Sequence, residues 1–150
     1  MPHTQTKLQF HCVFSTKDRR PFLVEPISSR LNAYVAAVGQ QKGFQVVRIG
    51  GMPDHRHILV QAKPTACISD IMNAIKANSS RWLRREFSEM RAFAWQTGFG
   101  AFTVSHSLTG RVVSYINRQA EHHAKRTFQQ EFLRLLDAHD IDYDMAHVFD

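Results

Sequence analysis

The sequence predicts an α+β fold: a ferredoxin-like, RRM-like antiparallel sheet with helices, extended by a C-terminal helix that carries a tyrosine. Two observations lead there. Hydrophobic periodicity switches along the chain in the order strand, helix, strand, strand, helix, strand, helix, the split β-α-β arrangement. The 150 residues, 43% apolar, contain no repeat, linker or low-complexity stretch, so residues 1–150 are expected to form one domain with an acidic tail from about residue 137.

Each element has its own signal. Lys7 to Ser15 is rich in Phe and Val and reads as a strand; the basic loop Lys17-Asp18-Arg19-Arg20-Pro21 follows. Leu31, Tyr34, Val35 and Val38 recur at helical spacing between Pro26, suited to a first turn, and Gly43, suited to a stop. Phe44 to Met52 and His55 to Ala62 are β-rich runs separated by Pro53-Asp54, which predicts neighbouring antiparallel strands. Ile68, Ile71, Met72, Ile75, Trp82, Leu83 and Phe87 mark one face of a long helix. Phe99 to Ser105 reads as a strand, Arg111 to Arg126 as one helix, and Phe128 to Ala138 as a short amphipathic helix before an acidic loop.

Charge and cysteine content narrow the function classes. Of the 13 acidic residues, five lie from Asp137 onward, where there is no Lys or Arg, leaving eight against all 19 basic residues, a net +11 over the first 136 positions. Such a surface favours a polyanion, although a merely solvated basic surface has the same composition. Cys12 and Cys67 form no CxxC pair, and a reduced, cytoplasmic chain is expected. No apolar run is long enough to cross a membrane, and no charged segment followed by an apolar run marks the N-terminus for secretion.

Two sites carry possible chemistry. Side chains alternate across a strand, so His55 and His57 share one face of theirs and could share a metal, while Arg56 points to the other. With nine His in the chain, a chance pair is the alternative. On the helix beginning near Arg111, Tyr115 and Gln119 fall on one face with His122 close by; taken alone, a tyrosine at the edge of an apolar helix face is most often a core residue with its hydroxyl in water. His11 and His106 read as structural strand residues, and His122 and His123 as helix-surface residues.

Together these motifs resemble one family. Cys12-Val13-Phe14-Ser15-Thr16-Lys17, Met52 to Val60, Lys76 to Arg81, Trp95 to Phe99 and Tyr115-Ile116-Asn117-Arg118-Gln119 occur in the order found in the single-tyrosine HUH transposases of small bacterial insertion sequences and the related REP-associated proteins. The resemblance covers roughly residues 7 to 135. It implies transposition of single-stranded DNA, with Tyr115 as the nucleophile and with His55, His57 and Gln119 holding Mg²⁺ or Mn²⁺. A phenol with pKa near 10 is ionised to about one part in a thousand at neutral pH, a deficit of about 4 kcal/mol that a cation on the scissile phosphate partly offsets. The product is a 5′-phosphotyrosine and a free 3′-hydroxyl, which can reverse the step on a new strand, so no nucleotide cofactor is needed. The sequence has no Gly-rich phosphate loop.

Arg56 departs from the resembling family, whose motif has a hydrophobic residue between the two His. If its sheet face is covered, the guanidinium is expected to reach solvent or a carboxylate such as Asp54. Lys17, Arg19, Arg20, Lys76, Arg81, Arg84 and Arg85 are candidates for a groove that follows a DNA backbone. The implied partners are single-stranded DNA, with hairpins at the element ends, and a second copy of the chain. Two ends need two tyrosines, whereas Tyr34 falls in an apolar pattern and Tyr143 in the acidic tail. Gly110 is a candidate hinge for swinging the Tyr115 helix, and spacing leaves open whether sites form within one chain or across two. Two alternatives stay in view: a non-catalytic RRM-like module, suggested by Gly98-Phe99-Gly100-Ala101-Phe102-Thr103-Val104, and a replication initiator or relaxase using the same chemistry.

Overall fold

The computed structural model describes residues 3–150. Strands β1 (Leu8–Ser15), β2 (Gln45–Met52), β3 (His55–Ala62) and β4 (Gly100–Val104) make one antiparallel sheet in the order β2-β3-β1-β4. Helix α1 (Ile27–Lys42) connects β1 to β2, and α2 (Ile68–Glu86) connects β3 to β4. The split β-α-β order predicted from periodicity is therefore the order observed. Beyond β4 come α3 (Thr109–Asn117), α4 (Gln119–His123) and α5 (Phe128–Ala138).

The alternation of β1 and β3 divides the molecule into two layers. Cys12, Phe14, Ile58 and Val60 face α1 and α2, where Leu31, Val35, Met72, Ile75 and Leu83 complete the main apolar core. Val13 and Leu59, with Phe102 of β4, face the other way, against α3 to α5 through Ile116, Phe128 and Leu136. His55 and His57 belong to this second face, and both are fully buried. Central β3 pairs on both sides, with Val13 opposite His57 and Ser15 opposite His55, so neither histidine can slip in register without breaking two ladders.

Two glycines set geometry that a side chain would spoil. Gly43 ends α1 in the left-handed region at φ 86°, donating its N–H to Gly39 O at 2.9 Å. On β2, a Cβ at Gly50 would lie 3.0 Å from Ile116 Cγ2 and 3.2 Å from Ile116 O. The missing side chain lets α3, and with it Tyr115, lie directly on the sheet.

Four expectations change. The single helix from Arg111 to Arg126 is two: Arg118, at φ −105° and ψ 29°, interrupts it and shares its N–H between Ser114 O and Tyr115 O. No Gly or Pro marks the break; Asn117 just before it is the one residue there of low helix propensity. Gly110 lies in the first turn of α3 rather than ahead of the helix, and His106 lies in an exposed 3₁₀ turn (His106–Leu108) rather than on a strand.

The fourth is Arg56, which reaches neither solvent nor a carboxylate. It is 1% exposed beneath α1, donating from Nη1 to Met52 O (3.0 Å) and His55 O (3.1 Å) and from Nη2 to Ser28 Oγ. Burial pushes its guanidinium down to about 10, opposed by Glu25 and Asp54, and it is still a cation at neutral pH. Carbonyl oxygens substitute for the missing counter-ion, which leaves Nε without a partner among the described residues. Replacing a buried cation by an apolar group of similar length is often neutral or stabilising. Arg56→Met should therefore leave stability within about 1 kcal/mol of the parent or raise it, while Arg56→Ala, which opens a cavity, should cost about 2–4 kcal/mol; urea unfolding measures both.

Candidate active site

β3 directs His55 and His57 into the layer beneath α3 to α5, and each imidazole is held from behind. His55 Nδ1 lies 2.7 Å from Asp54 Oδ1, and His57 Nδ1 lies 2.8 Å from His11 Nε2, which comes from β1. With their Nδ1 atoms engaged, both rings turn Nε2 toward a common point. Three groups from other elements meet them there. Gln119 Oε1 at the start of α4 lies 2.9 Å from His55 Nε2; Glu131 Oε1 on α5 lies 2.9 Å from His57 Nε2 and 3.5 Å from His55 Nε2. The Tyr115 hydroxyl donates to Glu131 Oε2, and Gln119 Nε2 donates to the same oxygen at 3.1 Å.

This donor set suits a divalent cation. The Gln119 amide is oriented by its bond to Glu131, so its oxygen faces His55 Nε2, while His55 Nδ1 faces a carboxylate. Unless His55 is charged, lone pairs of Nε2, Gln119 Oε1 and Glu131 Oε1 point at one another with no proton between them. A cation resolves that conflict. His55, His57 and Glu131 each offer an atom within 4.8 Å of the others, and all three are buried. Imidazole, carboxylate and amide oxygen together suit Mn²⁺, Mg²⁺ and similar ions rather than a thiophilic metal.

The electrostatics follow from the crowding. Burial pulls the Glu131 carboxyl upward, but the hydrogen bond and charge of His57, the Tyr115 hydroxyl and His55 outweigh it, and it sits well below the usual carboxylate range. Burial, then the hydrogen bond and charge of Glu131, push the Tyr115 phenol well above its ordinary value. Burial lowers His57 despite Glu131, and burial together with the charge of His57 takes His11 from 6.5 to about 3. His11 is a neutral hydrogen-bonding support.

A family model described as "Transposase IS200 like" matches residues 4–119. The chain belongs to the IS200-like transposase family. Among its relatives, the ISDra2 transposase TnpA of Deinococcus radiodurans is 26% identical over 118 residues, covering 75% of this chain and 84% of the relative. The transposase of insertion sequence IS200 from Salmonella typhimurium is 25% identical over 127 residues, covering 81% and 82%. The crystal structure of a candidate transposase from Deinococcus radiodurans superposes with a TM-score of 0.63 at 27% identity, covering 79% of this chain and 98% of that one. A REP-associated tyrosine transposase bound to a REP hairpin has the same fold, with a TM-score of 0.61 over 96% and 92% at 16% identity.

The structure of this IS200-like chain brings Tyr115, His55, His57 and Gln119 together. The seven basic candidates fall into two groups. Lys17 and Arg19 form a 3₁₀ turn after β1 with Arg20 beside it, and Arg19 lines a cleft of about 620 Å³ together with Asp54 and His123. Lys76, Arg81, Arg84 and Arg85 lie on α2, across the sheet from the histidines. There Lys76 Nζ donates to Gln96 O (2.6 Å) and Gly98 O (2.7 Å), and Arg84 Nη1 to Phe93 O (3.2 Å).

Sequence reasoning missed Glu131, although a carboxylate three residues after Phe128 on the apolar face of a short helix is a visible anomaly. It missed Lys125 and Arg126, which line the same cleft as Arg19. The two helix histidines are not merely surface residues. His123 Nε2 lies 3.1 Å from Gln119 Oε1 and 3.2 Å from Glu131 Oε1, and His122 stacks on Tyr115 at 4.4 Å. The break at Arg118 turns them inward.

Loss of a supporting hydrogen bond behind a ligand typically costs about 10- to 100-fold in metal affinity. His11→Phe and Asp54→Ala should each weaken Mn²⁺ binding by about that factor in calorimetry. Stability responds to pH in a defined direction. Because His11 is depressed from 6.5 to about 3 on folding, the unfolded chain binds the extra proton, so the metal-free protein loses stability as pH falls through that interval. His11→Phe should flatten this part of the profile in urea melts at stepped pH.

Proposed function

We propose that this chain is a metal-dependent nicking and joining enzyme for single-stranded DNA whose covalent link forms at Tyr115. The observation that carries the reading is the convergence of the Tyr115 hydroxyl, Glu131, Gln119, His55 and His57 on one buried point of the sheet. The Tyr115 oxygen attacks the scissile phosphorus, the bond to the 3′-oxygen breaks, and a 5′-phosphotyrosine and a 3′-hydroxyl result. Glu131 and Gln119 hold the phenol beside the histidines, so attack requires no search by the nucleophile. What a Mg²⁺ or Mn²⁺ ion on His55, His57, Glu131 and Gln119 supplies when bound is polarisation of the phosphate and neutralisation of the Glu131 charge that otherwise holds Tyr115 protonated. In the cleft, Arg19, Lys125 and Arg126, with Lys17 and Arg20 alongside, supply phosphate contacts to an unpaired strand, whereas Lys76, Arg81, Arg84 and Arg85 lie across the sheet on α2 and do not line this cleft.

A purely RNA-binding role is disfavoured by the fold. Such modules stack bases on an open sheet face, whereas both faces of this sheet carry helices and Phe102, the key aromatic of the mimicking strand, is 3% exposed.

We take the acting species to be a homodimer, because two cuts and two joins need two tyrosines. Tyr34 stacks on Trp82 at 4.5 Å and Tyr143 donates to Asp137 in the tail, so each chain brings one nucleophile. Labelled single-stranded DNA carrying hairpin element ends, incubated with the protein and Mn²⁺ and run on a denaturing gel, should give a DNA-linked band. Tyr115→Phe or a chelator should reduce it at least about 100-fold. The contact of Tyr115 with Glu131 of its own chain supports sites that each form within one chain; on that reading, mixing Tyr115→Phe with His57→Ala protein should restore no cleavage, and restoration would show sites shared between chains.

A further inference from the structure

His123 ends α4, and its ring is engaged at both nitrogens. Nδ1 lies 3.0 Å from the main-chain oxygen of Arg126. A carbonyl oxygen only accepts, so Nδ1 carries the proton, and a neutral ring then presents a bare lone pair at Nε2. What Nε2 meets is two more acceptors, Gln119 Oε1 at 3.1 Å and Glu131 Oε1 at 3.2 Å. The same two oxygens face His55 Nε2, at 2.9 and 3.5 Å. The conflict of lone pairs found at His55 therefore occurs a second time, at a ring carried by a different element. Protons could relieve it only by charging both rings. Their centroids stand 4.6 Å apart and their side chains are 0% and 8% exposed, and two buried like charges at that distance disfavour each other. One divalent cation supplies the same charge with a proton on neither Nε2.

We infer that His123 is a further ligand of the divalent cation proposed for this site, so that three imidazoles, the Glu131 carboxylate and the Gln119 amide oxygen hold it together. The inference rests on the metal-dependent reading given above and adds to it a nitrogen donor from outside the β3 pair. The local sequence supports it. Gln119 and His123 are four residues apart on α4, the spacing that puts two side chains on one helix face and lets them share an ion. The bond from Nδ1 to Arg126 O does for His123 what Asp54 does for His55 and His11 for His57: it fixes the ring from behind and leaves Nε2 for the metal. His123 also lines the basic cleft, which His55, His57, Gln119 and Glu131 do not, and so it is the proposed ligand that borders open space. With donors on β3, α4 and α5, a bound ion would fasten the two C-terminal helices to the sheet.

The test uses the full chain without DNA, and Co²⁺ as the probe. Co²⁺ is paramagnetic, and each histidine that binds it through Nε2 gives a far-shifted NMR signal from the proton on its Nδ1, a signal that disappears in D₂O. Three such signals are expected, one each from His55, His57 and His123, and His123→Gln should remove one of them. The count in the parent protein needs no variant, and Gln is a good helix former, so the substitution keeps α4. In calorimetry the same substitution should weaken Mn²⁺ binding by at least about 10-fold, the lower end of what loss of a support behind a ligand costs. Two shifted signals in the parent, a count unchanged in His123→Gln, or an unchanged Mn²⁺ affinity would overturn the inference while leaving a site built on His55 and His57 standing. No shifted signal at all would overturn it together with the metal dependence proposed above.

Discussion

A single buried carboxylate organises the layer that α3, α4 and α5 form on the sheet. Glu131 is 1% exposed, and a charge so far from water is tolerable only when several donors meet it. Its two oxygens gather groups from β3, α3 and α4: His57 and His123 on one, the Tyr115 hydroxyl and Gln119 amide on the other. No two of these elements could shift independently without stranding the charge. The interruption at Arg118 belongs to the same constraint, because it turns Gln119 and His123 toward Glu131 while Tyr115 approaches from the preceding turn.

The sheet provides the fixed half of the arrangement. β3 is paired along its length on both sides, and its strict alternation sends His55 and His57 to one layer and Arg56 to the other. Gly50 on β2 then allows Ile116 to touch the sheet backbone, which brings Tyr115 down to the depth of the histidines. A site built between a ladder and a closely seated helix is held to tight tolerances, which is what the nicking function proposed above asks of the Tyr115 hydroxyl.

Much of this is readable in the sequence, and for identifiable reasons. Elements with strong periodicity, such as Ile71, Met72, Ile75 and Leu83 on α2, lie where the spacing puts them because packing and propensity agree there. His55 with His57, and Tyr115 with Gln119, are visible because each pair is local and its spacing follows from one stretch of chain. What escapes depends on contacts between elements. His11 supports His57 across a strand pair, and Glu131 meets the histidines only once α5 has folded back over the sheet; both partnerships are set by tertiary contact rather than by spacing. Arg56 shows the complementary limit: its charge predicts a search for solvent or an acid, and main-chain carbonyls near the β2–β3 turn answer instead.

The two-layer sheet has a consequence for how this protein tolerates change. Cys12, Phe14, Ile58 and Val60 belong to the α1 and α2 layer, and the chemical groups lie in the other, so the chain contains two mutational compartments separated by one thickness of backbone. Repacking beneath α1 and α2 can raise or lower folding free energy while the donor atoms across the sheet keep their places. Durability and chemistry are thus adjustable on separate sides of the same strands, and a lineage could drift in one while holding the other constant.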